Sequence, residues 1–147
     1  VFLLGSAVDG DRDALATGLA NSVTMGVGQF CTNPGVVVAR RGSDLEDLTE
    51  RLAERIRAVA PAPMLYGGIC EQYGKQVERL RSDADVRVLA EADSAGNSER
   101  FGRAAVFVTS ARALPSSNAV RRVTTCSRNS IARSGSATRC TTRPELL

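Results

Sequence analysis

Short apolar runs alternate along this chain with longer segments whose apolar residues return at helical spacing, and this alternation limits its fold more than any other feature. Val1-Phe2-Leu3-Leu4 reads as a buried strand. Residues 11–30 read as a helix, with Leu15, Leu19, Val23 and Val27 recurring every fourth position. Gly18, Gly26 and Gly28 each cost such a helix about 1 kcal/mol relative to alanine. Either backbone approaches closely near the helix's C-terminal end, or the helix stops early at Gly26. Pro34-Gly35 breaks the chain, and residues 36–39 read as a fully buried β-branched strand. Ser43-Asp44-Leu45-Glu46 has the form of a capping box and opens a helix to about residue 60. Leu45, Leu48, Leu52, Ile56 and Val59 lie on one face of it, and Asp47 and Arg51 pair on the other. Pro61 and Pro63 stop it. A third helix over 68–81 buries Ile69, Tyr73, Val77 and Leu80. Strands follow at 86–90 and 104–109, separated by a polar loop. Strands alternating with amphipathic helices predict an α/β architecture with a largely parallel sheet.

Charge divides the chain unequally. Residues 1–102 carry a net charge of −4 and residues 103–147 a net charge of +7. Within residues 112–147, Arg, Ser and Thr make up half the positions and apolar residues follow no period. A segment of that kind buries too little apolar surface to offset its ordering entropy, so it is expected to be a disordered basic tail. The chain therefore divides into a folded part, 1–110, and a tail, 111–147. The clustered arginines raise nucleic-acid binding as a function, against which stands the lack of any aromatic residue after Phe107. No stretch reaches the length of a membrane span.

The chain has no histidine. This excludes a Cys-His dyad, a Ser-His-Asp triad and any His-containing zinc site within it. Cys31, Cys70, Cys126 and Cys140 form no C-x-x-C pair, and without a secretory leader they are expected to be free thiols in the reducing cytoplasm. Cys70 reads as a core thiol beside Ile69, while Glu71, Glu78 and Glu91 read as solvated charges. Cys31 sits after a Gly-x-Gly stretch and before Pro34-Gly35, a bend that can aim a thiol into a cleft. By spacing alone it reads more readily as a buried structural cysteine.

Gly28-Gln29-Phe30-Cys31-Thr32-Asn33-Pro34-Gly35 resembles the nucleophile motif of the aldehyde dehydrogenase superfamily, and more narrowly that of the α-ketoglutaric semialdehyde (2,5-dioxovalerate) dehydrogenases. The resemblance runs through Val1-Phe2-Leu3-Leu4, Ser22-Val23-Thr24 and Val36-Val37-Val38, then on to about residue 110. It implies that Cys31 attacks an aldehyde to form a thiohemiacetal, with its own N–H as an oxyanion donor and with Phe30 and Thr32 beside the substrate. Phe30 reads equally as a core aromatic. In the family, hydride then passes to NADP⁺ or NAD⁺ and a glutamate-activated water releases the acid. The resemblance further implies a cytoplasmic homo-oligomer and a small aldehyde substrate. It places the cofactor-binding domain, an oxyanion Asn and the general-base Glu outside this chain, with no cofactor-binding or metal residues within it. It also implies that the chain leaves the family's reading frame near Ser110 and is inactive alone. The third expectation is a non-catalytic association module built on an incomplete sheet.

Overall fold

The computed structural model describes residues 1–93 and 100–110. In order, it contains β1 (Phe2–Leu3), a single turn α1 (Gly5–Val8), α2 (Arg12–Thr24), β2 (Val38–Ala39), α3 (Ser43–Arg57), β3 (Ala62–Pro63), α4 (Gly67–Ser82), β4 (Val86–Glu91), β5 (Phe101–Gly102) and β6 (Ala105–Thr109). The α/β class holds, but the sheet is parallel only in part. β1 pairs with β2 in parallel, Phe2 opposite Val38. β3 pairs with β5, and β4 with β6, both antiparallel. A helical crossover lies between β1 and β2, as parallel pairing requires, whereas no helix lies between β4 and β6 among the described residues; β3 and β5 are antiparallel although α4 lies between them. The expected tail with Cys126 and Cys140, the domain division at residue 110 and most of the polar loop lie outside the described residues. No helix among the described residues is long and apolar enough to cross a membrane.

Two helices and a hairpin share the core. Asp11 caps α2, its carboxylate accepting from the Ala14 N–H at 3.0 Å. The face α2 buries is Ala16, Leu19 and Ala20, with Leu15 only half-buried. A repeat of four drifts about 40° per step around a helix of 3.6 residues per turn, so the Leu15–Val27 series cannot all face one neighbour. The i, i+3, i+4 set does, and its two alanines let α3 come close. α3 answers with Leu48, Ala53 and Ile56, all buried. Ile56 and Ala20 pack with Ala53 and Ala90 in one cluster, edged by Leu52, Leu89 and Val106. Val8, Ala16 and Leu48 form the second, edged by Leu3 and Leu45. β4 carries a bulge: Val88 opposes Phe107, yet Ala90 opposes Val106. The extra residue, Leu89, breaks the strand's alternation, and both Leu89 and Ala90 contribute to the core.

Charges line the rim of the α2–α3 contact. Arg12 Nε donates to Asp47 at 2.8 Å and its Nη1 to Asp44 at 3.1 Å. Arg51 reaches Asp47 and, more distantly, Asp13. Arg55 Nη2 lies 2.7 Å from both Asp13 oxygens, and its Nε donates to Thr17. The expected Asp47–Arg51 pair is thus one link in a chain of ions tying the helices together. The Arg51 hydrogen bond is the main force holding Asp47 below the usual carboxylate range, partly offset by desolvation and reinforced by Arg12.

Several expectations are corrected. Ser43 is not a cap: Gly42 occupies that position, without any side-chain capping bond, and accepts from the N–H groups of Leu45 and Glu46. Only residues 38–39 of the expected strand at 36–39 are strand, and Val37 and Val38 are exposed. Phe2, expected to be buried, is 80% exposed because β1 has β2 on one edge and no covering layer among the described residues. α4 buries no residue fully; Ile69, Tyr73, Val77 and Leu80 are half-buried.

Two outcomes test this packing. Ile56→Ala is expected to cost about 2–5 kcal/mol in urea denaturation, the range for truncating a buried aliphatic side chain. The Asp47 pairing stabilises the fold above the ordinary carboxylate pKa and is lost as pH falls through its depressed value. In Asp47→Asn, stability should therefore fall less between pH 5 and pH 3 (roughly the carboxylate range) than in the parent.

Candidate active site

The backbone changes hand where α2 ends. Gly26, Val27 and Gly28 follow with φ of 56°, 58° and 73°. Of the two alternatives for this helix, the early end is the one found: α2 stops at Thr24, and a 3₁₀ turn, Met25–Gly28, leads to the cysteine. Gly26 is needed for more than its dihedrals. A Cβ built on it would stand 2.4 Å from Phe30 Cδ2, because the Phe30 ring lies over it. Val27 at positive φ is strained, since a β-branched residue avoids this region. Its side chain is seated at Gly102, where an added Cβ would meet Val27 Cγ1 and Met64 Sδ, each at 3.0 Å.

Cys31 lies on the turn that follows and is exposed, which corrects its reading as a buried structural thiol. Phe30 is 54% exposed and so is not a core aromatic, and Thr32 is exposed as well. The structure therefore brings all three sequence-derived residues to one exposed turn. Two side chains that the sequence reading passed over fasten it. Asn33 Nδ2 donates to Val23 O at 2.8 Å and to Gly28 O at 3.3 Å. Gln29 Nε2 donates to Gly26 O at 3.1 Å, while its Oε1 accepts from the Leu65 N–H at 3.0 Å. The available signal was a pair of carboxamides two residues on either side of the cysteine, beside glycines that leave helix carbonyls unsatisfied. The N–H groups of Cys31 and Thr32 have no protein partner among the described residues.

The second described cysteine has a different setting. Cys70 is half-buried rather than core, and its Sγ lies 3.6 Å from Phe101 O. It borders a cavity of about 130 Å³ together with Tyr73, Val77, Glu91 and Arg103. Tyr73 donates its hydroxyl to Arg103 O. Burial, aided by the Glu91 charge, pushes the Tyr73 phenol up to about 12. Glu91 is not a solvated charge: its side chain is 20% exposed and paired with Arg81. Glu71 and Glu78 are exposed, bonded to Lys75 and Arg81.

The turn's geometry carries its own test. Gly26→Ala must displace the Phe30 ring and hold a left-handed alanine, at a cost of about 1–3 kcal/mol. A thermal or urea melt should show that loss, whereas Gly18→Ala, mid-helix with open space around it, should be neutral or stabilising.

No family model matches this chain. It is 42% identical over 96 residues to alpha-ketoglutaric semialdehyde dehydrogenase 2 of Azospirillum brasilense, a stretch covering 65% of this chain and 18% of that protein. It is 24% identical over 90 residues to alpha-ketoglutaric semialdehyde dehydrogenase of Acinetobacter baylyi, covering 61% of this chain and 17% of that protein. The chain thus spans less than a fifth of the length of either relative. Through this shared stretch, the chain with the Cys31 turn is a relative of the aldehyde dehydrogenases.

Proposed function

We propose that this chain supplies the cysteine-bearing part of an aldehyde dehydrogenase that oxidises a short semialdehyde, of the α-ketoglutaric semialdehyde type, to an acid. The observation that carries this reading is the 42% identity over 96 residues. In it, Cys31 is the nucleophile. The thiolate adds to the aldehyde carbon, the S–C bond forming as the C=O π bond breaks, and the thiol's proton ends on the former carbonyl oxygen. The product is a thiohemiacetal, with no change of oxidation state. The unpartnered Cys31 N–H is the donor to that oxygen, and the exposed flanking residues Phe30 and Thr32 border the substrate's approach. The family resemblance also supports a cytoplasmic, homo-oligomeric enzyme.

The hydride acceptor in this reading is NADP⁺ or NAD⁺, and the described residues do not fit it. Sites for ligands of that class run to roughly 300–1,000 Å³. The cavity beside Cys70 is about 130 Å³, well below that range. At Gly26 the space a Cβ would take is filled by the Phe30 ring, and at Gly28 by the Asn33 amide and Val23 O. No hydride step is therefore derived for these residues, and the chain by itself is proposed to be inactive as a dehydrogenase.

The test is direct. The full chain, mixed with succinic semialdehyde isotopically labelled at its aldehyde carbon, should show a thiohemiacetal carbon resonance. The signal should vanish in Cys31→Ala and persist in Cys70→Ala; its persistence in Cys31→Ala overturns the assignment. Neither NAD⁺ nor NADP⁺ should be reduced in the same mixture, and measurable reduction would overturn the proposed inactivity.

A further inference from the structure

We infer that Gln29 and Asn33 are positioning residues for Cys31: two carboxamides, placed two residues before and two after the thiol, that fix where it and its N–H stand. This inference rests on the proposed role of Cys31 and goes beyond it, because neither side chain belongs to the chemistry of the thiol itself.

A left-handed run ending in an exposed turn has no helix or sheet ladder to hold it, and its strained Val27 favours relaxation. Asn33 spends both amide hydrogens on carbonyls N-terminal to the cysteine: that of Val23, in the last turn of α2, and that of Gly28. The amide's orientation is fixed by these partners, since turning it over would set its oxygen against two carbonyl oxygens. Gln29 holds the other side. Its oxygen takes the Leu65 N–H, and that segment is itself tied down, Met64 N donating to Arg100 O at 2.8 Å and Arg100 Nη2 donating to Leu65 O at 3.2 Å. Cys31 is thus suspended between the end of α2 and the 64–65 segment. The remaining backbone bonds of the turn, Gln29 N to Gly26 O and Asn33 N to Phe30 O, leave the Cys31 N–H unspent. Carbonyl addition requires sulfur and oxyanion donor in a fixed relation to one carbon. Alkylation of an exposed thiol by a small halide requires only access.

The experiment reads those two reactions on the full chain. Parent, Gln29→Ala, Asn33→Ala and the isosteric Asn33→Asp are each mixed with the labelled succinic semialdehyde, and the thiohemiacetal equilibrium is read by NMR. Iodoacetamide labelling of Cys31 is timed in parallel by peptide mass spectrometry, with Cys70 as the internal measure of folding. Adduct formation should fall at least about tenfold in every variant, since a misplacement near 1 Å costs on the order of 10²-fold in a well-oriented reaction. Asn33→Asp should lose as much as Asn33→Ala, having the shape without the donors. Iodoacetamide rates at both cysteines should stay close to the parent's. Equal adduct formation in parent and variants overturns the positioning role and leaves the proposed function standing. No adduct in the parent overturns the proposed function, and this role with it. A variant in which Cys70 labelling also accelerates has lost its fold; if all three do so, the carboxamides are structural rather than positioning.

Discussion

The contact between α2 and α3 through Ala16, Ala20 and Ile56 is the constraint on which the rest of this structure depends. Ile56 is fully buried, and the neighbours that bury it come from α2, from α3 itself and from β4. Two helices can approach this closely only where one presents small side chains, and α2 does so with Ala16 and Ala20, four residues apart on the face that also carries Leu19. The ion pairs of Arg12, Arg51 and Arg55 follow from that approach rather than causing it. Their side chains are between 31% and 42% exposed, a setting in which each pair contributes little alone. What they add is registry: Arg12, Arg51 and Arg55 meet Asp13, Asp44 and Asp47 together only if the helices stand at one axial offset.

With α2 fixed, its last turn becomes a platform. The chain must leave Thr24 and reach β2, which pairs in parallel with β1. The left-handed residues at 26–28 make the reversal within three residues, and the cost of placing Val27 there is offset where its side chain meets Gly102 and Met64. The exposed thiol is a consequence of this route.

The helices were legible in the sequence because amphipathic periodicity records burial directly; α3 and α4 lie within three residues of their expected ends. The handedness of the pairing was less so. Alternation of strands and helices does not fix which strands pair: β4 and β6 have no helix between them among the described residues, and β3 pairs antiparallel with β5 across α4. The capping box failed because Gly42 gave the helix a start one residue earlier than Ser43 could cap. At the site, residue identity pointed to Cys31, Phe30 and Thr32 by resemblance, but Gln29 and Asn33 act through bonds to Leu65 and Val23, 36 and ten residues away. The carboxamides flanking the cysteine marked the residues, but partners at that reach depend on the fold.

In the proposed chemistry, the reaction divides at the thiohemiacetal, and the division matches what these residues offer. Addition needs a thiol and one oriented donor, both of which one turn can supply, and the carbonyl of the substrate. Every later step needs a base and a hydride acceptor, and a general base alone is worth about 10²–10⁴-fold. Of Glu71, Glu78 and Glu91, the last is the most enclosed, yet it is paired with Arg81 and borders the Cys70 cavity, not the Cys31 turn. The chemistry available at Cys31 is therefore set by how firmly its turn is held rather than by any neighbouring acid or base.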